Sequence, residues 1–100
     1  MSVVWTETAV FDLLLPSDSR SLKQKRSYVR PIIAMLRKFD VSVAEVGALE
    51  LHGRAEIGVA VVAAESSHVH NVIDTCEHQV AGRPEIEVLS VKRRLHGDDD

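Results

Sequence analysis

Between Asp18 and Asp40 the chain carries Arg20, Lys23, Lys25, Arg26, Arg30, Arg37 and Lys38 and not one acid. These are seven of its twelve basic residues. Guanidinium and ammonium groups at that density, with no local carboxylate to neutralise them, suit phosphate binding. The competing reading is a solvated helix face or a subunit contact, though such faces ordinarily interleave acids with bases. Lys92, Arg93 and Arg94 form a second, smaller cluster. Other chemistry is thinner. His70, Asp74 and His78 recur every fourth residue on one helical side, but three ligands strung over two turns make a long line for one ion. A polar helix face is expected there, and no metal. Cys76 lies amid an apolar arc, where a thiol is ordinarily inert core. No G-x-S-x-G, Walker A or G-x-G-x-x-G occurs, so no catalytic residue, cofactor or small-molecule substrate is indicated. An acylphosphatase-type phosphate cradle is also missing: the turn Pro16-Ser-Asp-Ser-Arg20 has no glycine, and the only asparagine is Asn71.

Six elements would position these residues. Residues 3–15 are β-branched and aromatic, then apolar, and read as a strand with Phe11, Leu13 and Leu15 on one face and Asp12 on the other. Ser21 is placed to cap a helix running to about Lys38. Its apolar arc holds Leu22, Val29, Ile32, Ile33, Leu36 and Phe39, and Lys23, Arg26, Arg30 and Arg37 gather on the adjoining arc. Lys25 falls inside the apolar arc, where it is expected to snorkel, with a reach into a pocket as the other reading. Pro31 predicts a kink, or a split near Tyr28. Residues 41–46 alternate as a strand, 47–53 form a hairpin loop, and 54–63 end in a buried-type run. Ser66 or Ser67 would cap a second helix to about Ala81, its core stripe being Val69, Val72, Ile73, Cys76 and Val80. Residues 85–95 make a last strand. Gly58 within the third strand marks a bulge or a close backbone approach, or leaves room for a helix residue.

Composition bounds the rest. One hundred residues, 45% hydrophobic and 27% charged, suit one core, and residues 1–96 are expected to form a single domain followed by an acidic, disordered tail, 97–100. Asp98, Asp99 and Asp100 account for the whole formal net charge of −3. The longest apolar run, Ile57 to Ala64, is far short of the roughly 18 residues that argue for a membrane span. The first residues show no secretory pattern, and a lone cysteine suits a reducing cytoplasm.

The order strand, helix, strand, strand, helix, strand predicts a ferredoxin-like α+β fold. In it a four-stranded antiparallel sheet carries both helices on one side. Four stretches then stand out together: Leu15-Pro16, Ser21-Leu-Lys-Gln-Lys-Arg26, Val41-Ser-Val-Ala-Glu-Val46 and Arg54-Ala-Glu-Ile-Gly-Val-Ala-Val-Val62. In that order they resemble the bacterial YlxP-like family, domain of unknown function 503, over about residues 3–95. The resemblance implies a ferredoxin-like fold and, from the translation factors often encoded beside such proteins, a place near the ribosome or RNA. It implies no enzymatic activity. The chain departs from the family pattern at Arg20, where histidine is common, and at His52 and Gly53, where a Trp-Gln pair is common; the loop acid is kept as Glu50.

Two functions are therefore expected as alternatives. The first is a non-catalytic accessory domain contacting RNA or the ribosome through Arg20, Lys23, Lys25, Arg26, Arg30 and Arg37. The second is a self-associating, homo-oligomeric or partner-binding module, its interface built on Trp5, Val10 and Leu14. An RNA-recognition-motif sheet is ruled out, because the third strand has no aromatic residue on which bases could stack.

Overall fold

A computed structural model describes residues 3–97 of the chain. Its elements run β1 (Trp5–Leu14), α1 (Leu22–Arg37), β2 (Ser42–Gly47), β3 (Arg54–Ala63), α2 (Ser66–Ala81) and β4 (Glu87–His96). The strands form one antiparallel sheet in the order β2-β3-β1-β4. α2 packs on β1, β3 and β4, and α1 packs on β2 and against α2. This is the ferredoxin-like arrangement that the element order predicts.

Two periodicities meeting in one layer explain the packing. Ala9, Phe11 and Leu13 alternate along β1, with Leu15 just past its end, as do Ala55, Ile57, Val59 and Val61 along β3, and both sets are buried. The helices answer with Val29, Ile32 and Leu36 from α1 and Val69, Ile73, Cys76 and Val80 from α2, all in the same cluster. The opposite sheet face carries no helix. There Thr8, Val10, Asp12 and Leu14 of β1 lie beside Ala60, Gly58, Glu56 and Arg54 of β3.

Several local expectations are corrected. Pro31 does not split the first helix, which runs unbroken from Leu22 to Arg37. The ring's fixed φ is itself helical, and buried Ile32 and Leu36 just beyond it hold the last turns in place. Leu22, assigned to the apolar arc, is 42% exposed. Neither Ser66 nor Ser67 caps α2: the N-cap is Glu65, with no side-chain capping bond. At Gly58 the room is taken not by a helix residue but by Val46 of β2, on the helix-free face; a Cβ there would lie 2.9 Å from a Val46 methyl. His96 closes β4 opposite Thr6. Of the expected tail only Gly97 is among the described residues; Asp98, Asp99 and Asp100 lie outside them. Among the described residues no helix is long and apolar enough to cross a membrane.

Candidate functional site

The basic stretch folds onto the exposed side of α1. Ser21 starts the helix by accepting a bond from the Gln24 amide at 3.1 Å, and the Gln24 side chain accepts from the Arg20 amide at 2.9 Å. The two bonds satisfy main-chain donors that the first turn would otherwise leave bare. Arg20, Lys23, Arg26, Arg30 and Arg37 are all exposed. None of them forms an ion pair with a described residue. Lys23, Arg26 and Arg30 border a shallow groove of about 410 Å³ with Ser27 and Pro31.

Lys25 does not join that face, and the expectation that it snorkels is corrected. Its side chain is 3% exposed. The ammonium donates to the Ala48 carbonyl at 2.7 Å and meets Glu45 Oε2 at 2.9 Å. A lysine whose amine turns inward to an acceptor and a counter-ion is not a phosphate contact, so it leaves the proposed set of surface cations. It is instead the floor of a second cavity, about 330 Å³, between α1 and β2. Leu22, Val29 and Ile33 of α1 and Leu49 of the β2–β3 loop supply its apolar walls, and Arg26 and Arg30 stand at its rim.

The loop is held in place to form that wall. Ser19 Oγ donates to the His52 carbonyl at 2.6 Å, and the Leu15 amide donates to the Gly53 carbonyl at 2.9 Å. Ala48 adopts a left-handed backbone, φ 56°, that alanine visits only at a cost of about 1–2 kcal/mol. Its carbonyl is engaged twice, by the Leu51 amide at 3.0 Å and by Lys25. Tyr28 anchors the other side of α1 by donating to Asp18 Oδ1 at 2.7 Å, and that bond to a carboxylate pushes the phenol's pKa up.

The family model described as a protein of unknown function, DUF503, matches residues 7–93. The chain belongs to the DUF503 family. Comparison with curated proteins returns no match. Among solved structures it is similar to a de novo designed protein, Foldit4, with a TM-score of 0.51 and 12% identity, over 95% of this chain and 97% of that one. At that identity the likeness speaks for the fold alone.

In this DUF503 protein the β2–β3 loop is tied down through its backbone. His52 and Gly53 hold it through main-chain carbonyls, which any residue provides. Arg20 folds back to donate to the Ser17 carbonyl at 3.3 Å. The second basic cluster is divided by strand alternation. Lys92 and Arg94 lie opposite Val10 and Thr8 on the helix-free face, while Arg93 lies opposite Ala9 and faces the helices. There Arg93 contacts Glu7 at 2.5 Å and Asp74 at 2.6 Å, with Glu77 at 3.4 Å. Its donation to Asp74 holds that carboxyl below the usual carboxylate range. His70 closes the group, 3.4 Å from Glu7 and 3.6 Å from Asp74. Arg93 thus engages both His70 and Asp74, and His78 turns its ring to the Asp74 carbonyl. Among the described residues no three His, Cys, Asp or Glu side chains are placed to hold a metal. Cys76 is fully buried, and burial pushes its thiol pKa up.

The three candidate interface residues are not on one face. Val10 and Leu14 share the helix-free face, Leu14 being exposed. Trp5 has the parity of Ala9 and Phe11, packs against the core and lies over Gly97.

Proposed function

We propose that this domain is a non-catalytic RNA-binding module that grips the phosphate backbone with the exposed side of α1. One observation carries the reading: Arg20, Lys23, Arg26, Arg30 and Arg37 all lack an ionic partner among the described residues. Of the other bases, Lys25, Arg54, Arg83 and Arg93 are each paired with a carboxylate, whereas Lys38, Lys92 and Arg94 have no ion pair among the described residues. Unpaired cations along one helix supply the sequence-independent part of nucleic-acid affinity. The helix-free sheet face offers no aromatic platform at its centre, where Thr8, Val10 and Asp12 face Ala60, Gly58 and Glu56. Binding therefore follows charge and shape more than sequence, and ribosomal RNA is a fitting target.

The experiment is sedimentation with ribosomes, and retention of single-stranded RNA, at low and moderate salt. Wild type should co-sediment in a salt-sensitive way, and Lys23→Ala/Arg26→Ala/Arg30→Ala should not. If wild type stays in the supernatant at low salt, the reading fails.

A second reading is self-association through the helix-free face. Its specific support is a set of exposed aliphatics spread over that face, Leu14 and Val62 at opposite ends of the β1–β3 pair and Val46 on β2, Val62 being 65% exposed. Concentration-dependent mass that Leu14→Asp abolishes would establish it. A monomer at high concentration would remove it.

A further inference from the structure

The cavity between α1 and the β2–β3 loop has three chemically distinct zones, and one class of ligand matches all three. We propose that it binds a nucleoside monophosphate unit, with the base in the slot and the phosphate on the rim.

The floor comes first. Lys25 has spent two of its three ammonium protons, on Ala48 and on Glu45 Oε2. The third proton and the second oxygen of Glu45 have no partner among the described residues, and both residues line the cavity. A donor and an acceptor thus stand side by side. Every nucleobase carries a neighbouring acceptor and donor on its pairing edge, so such a floor reads a base without choosing among the four. The walls come next. Leu22, Val29 and Ile33 on one side and Leu49 on the other leave an apolar slot suited to the flat faces of a ring. The rim is last. Arg26 and Arg30 line both this slot and the shallow groove that runs past Lys23, so a phosphate held by them lies on the same basic track.

Simpler ligands satisfy only part of this. An inorganic anion gains nothing from the walls and meets a floor already neutralised by Glu45. A purely apolar molecule would bury the Lys25–Glu45 pair without replacing its hydrogen bonds with water. The volume, about 330 Å³, is at the lower end of the roughly 300–1,000 Å³ typical of small-ligand sites. The loop ties at Ala48, His52 and Gly53 hold the far wall before any ligand arrives. Within a strand, this site rests on the phosphate-binding reading above; a free nucleotide would use the same contacts.

The test is a titration of isotope-labelled protein with uridine monophosphate, uridine and inorganic phosphate, followed by methyl and amide NMR. Uridine monophosphate should shift Leu22, Ile33 and Leu49 and bind roughly tenfold more tightly than either part alone. Leu49→Ser, at an exposed loop position, should weaken it roughly tenfold without unfolding the domain, and so should Arg26→Ala/Arg30→Ala. Silent methyls, or identical shifts from phosphate alone, overturn the proposal. A parallel arm uses oligouridylate. If Lys23→Ala/Arg37→Ala lowers its retention while Leu49→Ser leaves both ligands unaffected, the slot falls and the basic surface stands. If the monophosphate occupies the slot and oligouridylate is not retained, the slot stands as a free-nucleotide site and the RNA reading falls.

Discussion

Glu7 is only 2% exposed, in a strand face otherwise made of Ala9, Phe11 and Leu13. A carboxylate is stable there because Arg93 meets it with two nitrogens, at 3.0 and 2.5 Å. Arg93→Met should therefore cost about 3 kcal/mol in urea unfolding, because it strands the buried acid. Arg83→Met, whose pair with Glu85 is more open, should cost less than about 1 kcal/mol. Equal costs would show that Arg93 is not the keystone of that side. The same network sets an acid response. Arg93 lowers the Asp74 pKa in the folded state, so the pair's contribution is complete above the unfolded value of about 3.9. It is lost as pH falls through the lower folded value. The stability gap between wild type and Asp74→Asn should be flat above about pH 5 and close below that. A gap that persists at pH 2 would refute the assignment. Lys25→Met should likewise cost about 2 kcal/mol, and adding Glu45→Leu should recover much of it. No recovery in the double variant would mean that Lys25 acts through packing alone. Part of this was legible: Lys25 falls inside the apolar arc, an odd place for an ammonium group. What residue spacing alone does not provide is the partner. Arg93 and Glu7 are 86 positions apart.

At the level of elements, alternation and the 3.6-residue repeat located all six, because each buries one face and the faces differ in period. The expectations that failed are terminal or single-residue features. Ser66 has the right chemistry for a cap, but the strand-to-helix turn puts Glu65 at that position. Pro31 is the instructive case. Its ring leaves the Ser27 carbonyl without its usual helical donor, yet α1 is tied down on both sides, through Lys25 to the loop and through Tyr28 to Asp18. Tertiary contacts outweigh the local penalty. Pro31→Ala should accordingly stabilise the domain by about 1–3 kcal/mol in urea unfolding, and a loss of stability would show that the ring packs usefully where it is. Ser21→Ala should cost about 1 kcal/mol, since it removes the acceptor for the Gln24 amide. The cleft itself was the least legible part. It needs a helix, a strand and a loop that meet only in the folded chain, and its one sequence signal was the misplaced polarity of Lys25.

For the molecule as a whole, the formal charge of −3 hides a cationic helix face whose bases have no ion pair among the described residues. If α1 engages about five phosphates of single-stranded RNA, a plot of log affinity against log salt should fall with a slope near −3.5. A slope near zero would mean that the helix charges do not meet the backbone. One further property follows from how the sheet is closed. β1 lies between β3 and β4, so its start and the end of β4 lie side by side, Thr6 opposite His96. The only tryptophan, Trp5, packs there against Gly97, closely enough that a Cβ on that glycine would lie 2.9 Å from the ring. Closing so long a loop costs entropy before any contact repays it. Tryptophan emission is thus a built-in clock for the zipping of β4 onto β1. In stopped-flow refolding it should lag the helical circular-dichroism signal, and coincident phases would mean that the ends meet as early as the helices form.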